Sequence, residues 1–399
     1  HLRYGKRTML SQAENDRLTR VGPGQPAGEL LRRYWLPVAV AQELTDDSPT
    51  KFVRILGEDL VLFRDKTGRV GLLGDHCAHR GASLCYGRVE ERGISCVYHG
   101  WLYDTGGNIL ETPPERNDAI MRSVKQKAYP VQKFIGMYWA YLGPQPAPVI
   151  PKYDGWVRKD GKRTIQVHPV LDCNWFQAME NSVDPAHLQI LHQEHIGRGA
   201  TPVNTTRGFT DDVADFEFRL EPLGIIKRRT YINGSTDEHP LIFPNILRQG
   251  RNFQIRVPID DTHTMHIHVG FEPTPDGSAV EDQGDPPVEY LAPYKEPPDG
   301  LHPYTKFNLR SVLAQDHMAW ETQGPIANRT TEHLSYSDRG VHMLRKLTLE
   351  QIERVQQGLD PMGVERDPDH AIIDTNLLGE AQDGVPTGLR SAAEPVGAR

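Results

Sequence analysis

Cysteine is scarce in this chain: Cys77, Cys85, Cys96 and Cys173 are its only thiols among 399 residues. So few, so far apart, exclude a disulfide-stapled secreted scaffold and fit a reducing compartment. No apolar run approaches the ~18 residues needed to cross a bilayer, and no charged-then-apolar leader opens the chain. Cytoplasmic residence is therefore expected. Basic charge is not in excess. The formal net charge of −8 excludes a general attraction to nucleic acid or an anionic membrane. No Gly-x-Gly-x-x-Gly follows a strand signal, so the chain is not expected to bind a nicotinamide itself. Internal repeats are absent too. Residues 1–8 precede Met9 and read as a remnant, outside any fold reasoning.

Against this scarcity, two of the four cysteines fall in matched motifs. Cys77-Ala78-His79 is followed, after sixteen residues, by Cys96-Val97-Tyr98-His99. Thiolates and imidazoles in this number suit a tetrahedral zinc or a 2Fe–2S cluster with two Cys on one iron and two His on the other. The pairing favours the cluster, because each motif offers one ligand to each iron. A zinc finger more often takes two like ligands from each half. Cys85 reads as a small apolar residue, and Trp101 as a core aromatic beside the second motif.

Around these motifs the chain has the pattern of a small antiparallel β domain. A short helix is expected over Ala27–Trp35. Strand signals follow at Phe52–Leu56, Leu60–Arg64 and Arg69–Leu73, separated by turn-forming residues. A further strand pair is expected across Val131–Leu142. Gly143–Pro148 then reads as a stiff linker and domain boundary. Downstream, Phe253–Ile259 and Met265–Val269 alternate about an Asp260-Asp261-Thr262 turn, a hairpin signal. One face of it carries Gln254, Arg256, His266 and His268. That face either lines a cavity or meets solvent. Residues 272–300, rich in proline and acids, are expected to be a lid, an interface arm or a mobile segment. Thr348-Leu349-Glu350-Gln351 reads as a capping box opening a helix, with Gly358 closing it. From Asp367 onward an extended surface arm is expected.

The second constellation runs from Asn181 to His192. Asp184 is a good N-cap and Pro185 a good first helical residue. His187 and His192 then lie five apart, about 140° of rotation on an ideal α-helix. To share one ion they need a distortion such as a π-bulge. Spacing alone is weak support in a chain with seventeen histidines, and His195 follows close by.

Taken together, Cys77-x-His79, Cys96-x-x-His99 and Asn181-x-x-Asp184-x-x-His187-x-x-x-x-His192 resemble the Rieske non-haem iron oxygenases. The resemblance implies an α+β chain: an antiparallel β Rieske domain (residues 9–148), a helix-grip catalytic domain (149–366) and a tail (367–399). It implies a 2Fe–2S cluster on Cys77, His79, Cys96 and His99. It also implies an Fe(II) on His187, His192 and a carboxylate, a facial triad with open positions for O₂. By position that carboxylate is Asp316, with Glu321 as runner-up. Asp184 is implied to bridge the centres of adjacent subunits in a homotrimer, linking a cluster histidine of one chain to His187 of the next.

Within the family, Cys96–Trp101, Phe243-Pro244-Asn245 and Gln315–Glu321 are similar to the phthalate-dioxygenase-like, α-only branch. The implied activity is hydroxylation or O-demethylation of a carboxylated aromatic, including methoxylated lignin-derived acids. Electrons would come from NAD(P)H through a separate flavin/iron–sulfur reductase or a ferredoxin. Arg248, Arg251 and Arg256 are candidates to hold a carboxylate. The alternatives are a phthalate-type ring dioxygenase, a Rieske electron carrier without oxygenase activity, and a zinc-stabilised interaction protein.

Overall fold

The structure, a computed structural model, describes residues 9–192, 213–281, 284–295, 309 and 311–375. The chain divides into two compact units. One holds Val21–Gly24 and Gly28–Pro148; the other begins again at Val149 and includes Gln25–Ala27 and the N-terminal residues to Arg20.

The first unit is built from three small antiparallel sheets. Strands Trp35–Val40, Val131–Phe134 and Met137–Tyr141 form one, and Thr50–Ile55, Glu58–Arg64, Val70–Gly74 and Ala128–Tyr129 a second. Between the first two strands of the second sheet, Leu56 and Gly57 both take positive φ. That is the two-residue turn whose twist matches flanking antiparallel strands. The third sheet runs Arg88–Glu90, Gly93–Ser95, Leu102–Tyr103 and Ile109–Glu111. At Gly93 a Cβ would lie 1.8 Å from the Tyr103 carbonyl oxygen, so only glycine lets these strands close. Val61, Phe63, Leu73, Leu84, Ile94 and Ile109 pack into one core with Cys77, Cys96, Trp101 and Tyr103. The expected helix over Ala27–Trp35 is shorter, Pro26–Leu31. Trp35 instead opens a fully buried strand, where an aromatic residue packs better than on a helix end.

The second unit centres on an eight-stranded sheet. In chain order its strands are β1 (Gly161–Leu171), β2 (Val213–Glu221), β3 (Gly224–Tyr231), β4 (Thr236–Ile242), β5 (Ile246–Gln249), β6 (Asn252–Pro258), β7 (Thr264–Pro273) and β8 (Val288–Tyr290). Their spatial order is β2-β3-β4-β5-β6-β7-β1-β8. Every pair is antiparallel except β1 with β8. Its longer helices are α1 (Gln12–Thr19), α2 (Trp175–Ser182), α3 (Val312–Glu321) and α4 (Arg339–Gln356). α2 packs on β5 and β6 and against α3 and α4, while α4 lies on β3. A buried ionic knot ties the helices together. Glu180 of α2 accepts from Arg329 and from Arg345 of α4, and Arg329 also donates to Asn15 of α1.

Three expectations need correction here. The capping box at Thr348 does not open a helix: α4 starts at Arg339, and Thr348 lies mid-helix. Its hydroxyl donates to the Leu344 carbonyl one turn back, the alternative partner such residues have inside helices. Gly358, with φ 78°, does follow the helix end. The segment 272–300 is not simply a lid, because Val288–Tyr290 joins the sheet as β8. Nor is the described part of the tail an arm throughout: residues 367–369 are exposed, but Ile373 and Thr375 bond back to the fold. Thr375 is buried and bonded to Asp154, and Arg248 donates to both. The tail beyond Thr375 lies outside the described residues.

Candidate metal centres

The two cysteine–histidine motifs fold into a matched pair of loops. The Cys77 carbonyl accepts from the Gly81 amide at 2.8 Å, and its own amide donates to Ala82 at 2.9 Å. The Cys96 carbonyl accepts from Gly100 at 2.8 Å, and its amide donates to Trp101 at 2.9 Å. Gly81 and Gly100 both take positive φ, 77° and 74°, which glycine does at no steric cost. The two loops set their ligand atoms side by side. Cys77 and Cys96 are buried, and each is free of any disulfide. Burial, with Cys77 next to it, pushes the Cys96 thiol up. The His79 and His99 rings are half-buried, with centroids 4.5 Å apart. His79 Nδ1 is buried and has no protein hydrogen-bond partner. Two inner sulfurs and two outer imidazoles are the donor set of a Rieske cluster, and they fit it.

Two further contacts tune this site. Trp101, buried in the core, stacks on His79 at 4.5 Å with ring planes 5° apart, so the aromatic packs and shields at once. Tyr103, which no sequence motif singles out, places its hydroxyl 3.0 Å from Cys77 Sγ. Burial and the neighbouring cysteines push the phenol upward, so it stays protonated and is the donor whenever Cys77 is a ligand thiolate.

In the second unit, His187, His192 and Asp316 are brought together. Among the described residues they form the one such group, each offering a ligand atom within 4.8 Å of the others. Asp316 Oδ1 is 3.5 Å from His187 Nε2 and 3.3 Å from His192 Nε2. The expected distortion is present: Leu188–His192 is π-helical. An i,i+5 repeat is one π turn, so the two imidazoles share a side. Asp184 starts this turn, its Oδ1 accepting from the Ala186 amide at 2.9 Å. Its Oδ2 lies 3.5 Å from His187 Nδ1. His192 Nδ1 is 2.7 Å from Gln315 Oε1, which fixes that ring and turns Nε2 to the centre. Burial raises the Asp316 carboxyl, but His192 and His187 outweigh it and hold it below the ordinary range. These donors fit a facial two-histidine, one-carboxylate site. Asn181, whose amide lies 3.3 Å from His187 Nε2 and 3.4 Å from Asp316 Oδ1, closes one side.

Glu321 is not part of this group. Its carboxylate accepts the Asp172 amide and pairs with Lys295 at 2.5 Å, on the far end of α3. Of the three sheet arginines, Arg248 is committed to Asp154 and Arg251 reaches the exposed Glu272. Arg256 alone is buried without an acid partner among the described residues. His195 lies outside the described residues.

Comparison with known proteins agrees with this geometry. Residues 34–134 match the Rieske [2Fe-2S] domain, and residues 304–377 match a LigXa C-terminal domain-like family. The chain is 38% identical to a 5,5'-dehydrodivanillate O-demethylase oxygenase subunit of Sphingobium sp., covering 90% of this chain and 84% of that one. It is 33% identical to the phthalate 4,5-dioxygenase oxygenase subunit of Pseudomonas putida, covering 89% of each. A tert-butanol monooxygenase / tert-amyl alcohol desaturase oxygenase subunit of Aquincola tertiaricarbonis is 36% identical over 84% of this chain and 75% of its own. In fold, the oxygenase of a carbazole 1,9a-dioxygenase–ferredoxin complex aligns with a TM-score of 0.62 at 20% identity, over 88% of this chain and 99% of that one. No helix among the described residues is long and apolar enough to cross a membrane. With relatives of 33–38% identity matching over 84–90% of its length, and with a Rieske cluster and a mononuclear iron as its cofactors, the chain belongs to the Rieske non-haem iron oxygenases, as an oxygenase component of their phthalate-dioxygenase-like and aromatic O-demethylase branch.

Proposed function

We propose that this oxygenase component O-demethylates or hydroxylates a carboxylated aromatic compound, with O-demethylation the first reading. The observation that carries it is the convergence of His187, His192 and Asp316, whose ligand atoms lie within 4.8 Å of one another. The 38% identity to an O-demethylase subunit favours the first reading; the phthalate relative keeps ring hydroxylation as the second. His187, His192 and Asp316 hold the mononuclear iron, and Cys77, His79, Cys96 and His99 the cluster. When bound, the iron would activate O₂ with two electrons supplied by the reductase: in O-demethylation one oxygen would enter the substrate and one leave as water, and in ring dihydroxylation both would enter the substrate. The chain's residues orient and exclude. Gln315 holds His192, Asp184 holds His187, and the buried sheet face keeps bulk water from the reacting carbon. Hydroxylating a methoxy carbon gives a hemiacetal, which releases formaldehyde and a phenol.

The chain works as a homotrimer with a separate reductase or ferredoxin in this reading. Asp184 then accepts hydrogen bonds from His187 of its own chain and from His79 or His99 of a neighbour. Support comes from the 3.5 Å approach of its Oδ2 to His187 Nδ1. The test is a screen of methoxylated and unmethoxylated aromatic acids with reductase and NADH, reading substrate-dependent O₂ uptake and formaldehyde. Formaldehyde in step with O₂ uptake is expected. Uptake with a ring diol and no formaldehyde selects the second reading, and no uptake with any aromatic acid refutes both.

A further inference from the structure

The polar face of the β6–β7 hairpin is buried, and it holds chemistry that the metal centre does not use. Arg256 and His266 are 0% exposed, Gln254 7% and His268 6%. Register puts Arg256 opposite His266, and His266 opposite His168 of β1. From the helix side His317 of α3 reaches down, its Nε2 2.9 Å from His266 Nδ1. The rings crowd: His266 to His268 is 4.4 Å between centroids, and His168 to His317 is 4.2 Å. Burial lowers every one of these imidazoles, so all are neutral near pH 7.

Two features do not belong to a structural core. First, buried nitrogens go without partners. His168, His266 and His268 Nε2, His317 Nδ1 and Arg256 Nε are all buried and make no hydrogen bond. Native interiors satisfy nearly all such groups. Second, Arg256 is a buried cation with no carboxylate in ion-pair range among the described residues. It donates only to the Gln254 carbonyl at 3.1 Å and the Gln254 side chain at 2.7 Å, and lies 5.5 Å over the Trp320 ring. A buried charge without a counter-charge is strongly unfavourable, and an anion bound beside it would remove that cost. Burial, with some opposition from Asp316, lowers the guanidinium to about 9, so it remains cationic. His317, which bonds to His266, directly follows Asp316 on α3, so the polar wall adjoins the metal triad.

We propose that Arg256, flanked by His266 and His268, is the subsite for the substrate's carboxylate. Arg256 supplies the charge and its free Nε–H a directed donor. The His266 Nδ1–His317 Nε2 contact at 2.9 Å holds the His266 ring in place and leaves its Nε2 without a protein partner, facing the subsite. The aromatic ring then extends from this anchor toward His187, His192 and Asp316. The proposal rests on the aromatic-oxygenase reading above and adds to it which residues select an acid.

The test is calorimetric titration of the iron-loaded protein with benzoate, phthalate and 4-hydroxy-3-methoxybenzoate, each against its amide, with thermal unfolding of the same samples. Wild type should bind at least one acid at least tenfold tighter than its amide. Arg256→Met should lose that preference and unfold at the same or a higher temperature, since an uncompensated charge has gone. Arg256→Lys should keep part of the preference, and His268→Phe should weaken the acid more than the amide. Equal acid affinity in wild type and Arg256→Met overturns the proposal. So does equal loss of acid and amide with a lowered unfolding temperature, which marks Arg256 as structural. Failure of wild type to bind any of the acids also overturns it, while formaldehyde release from a neutral methoxyarene would then keep O-demethylation but remove the carboxylate from the proposed substrate. Acid binding that follows the prediction without turnover of any aromatic acid would instead refute that reading and leave the subsite.

Discussion

The Rieske ligands were legible one by one because the signal is local. A Cys-x-His and a Cys-x-x-His turn each carry both ligand types within four residues, and nothing distant is needed to recognise them. Tyr103 was not legible, since no spacing rule ties it to Cys77, and only the strand pairing around Gly93 brings its hydroxyl to 3.0 Å from the sulfur. A hydrogen bond to a ligand thiolate stabilises the reduced cluster and raises its potential. Tyr103→Phe should therefore lower the cluster potential by on the order of tens of millivolts, with the visible spectrum retained. Voltammetry of the variant giving the wild-type potential would contradict a donor role. Asp316 was chosen over Glu321 by position in a motif. The physical discriminant, the Lys295 and Asp172 partners of Glu321, is invisible in sequence.

Among elements, the π turn at Leu188–His192 was inferable from a conflict: two ligands five apart cannot share an α-helical face. The hairpin β6–β7 was legible as period-2 alternation, but its buried face was not. Alternation separates two faces, while only the helices packed above decide which is covered. The capping box at Thr348 misled for a similar reason, because a local motif was overridden by helix already running from Arg339. Asp184 is the element-scale test, since it caps the π turn and also contacts His187. Asn caps about as well as Asp but carries no charge. Asp184→Asn should keep fold and both metal contents yet slow oxidation of the reduced cluster in a single turnover with substrate and O₂. A wild-type rate would reduce Asp184 to a cap.

For the whole molecule, the catalytic unit buries neutral histidines that an unfolded chain would protonate. Burial lowers His168 to about 4, and His239 and His268 to about 3. A folded value below the ordinary 6.5 means the unfolded chain binds more protons as pH falls. Stability from these groups is fully present above about pH 6.5 and is lost below it, by about 1.4 kcal/mol per pH unit for each group until its folded value is reached. Denaturant midpoints should fall steadily from pH 6.5 to 4.5. A midpoint unchanged over that interval would show that these imidazoles are charged, or exposed, in the native protein.

The most direct measurement of the central claim is iron per chain together with the Rieske visible spectrum, in wild type and in His192→Ala, Asp316→Ala and Glu321→Ala. Three irons are expected in wild type and in Glu321→Ala, and two in His192→Ala and Asp316→Ala, with the cluster spectrum unchanged in all four. Three irons in Asp316→Ala, or two in Glu321→Ala, would contradict the assignment of the catalytic centre.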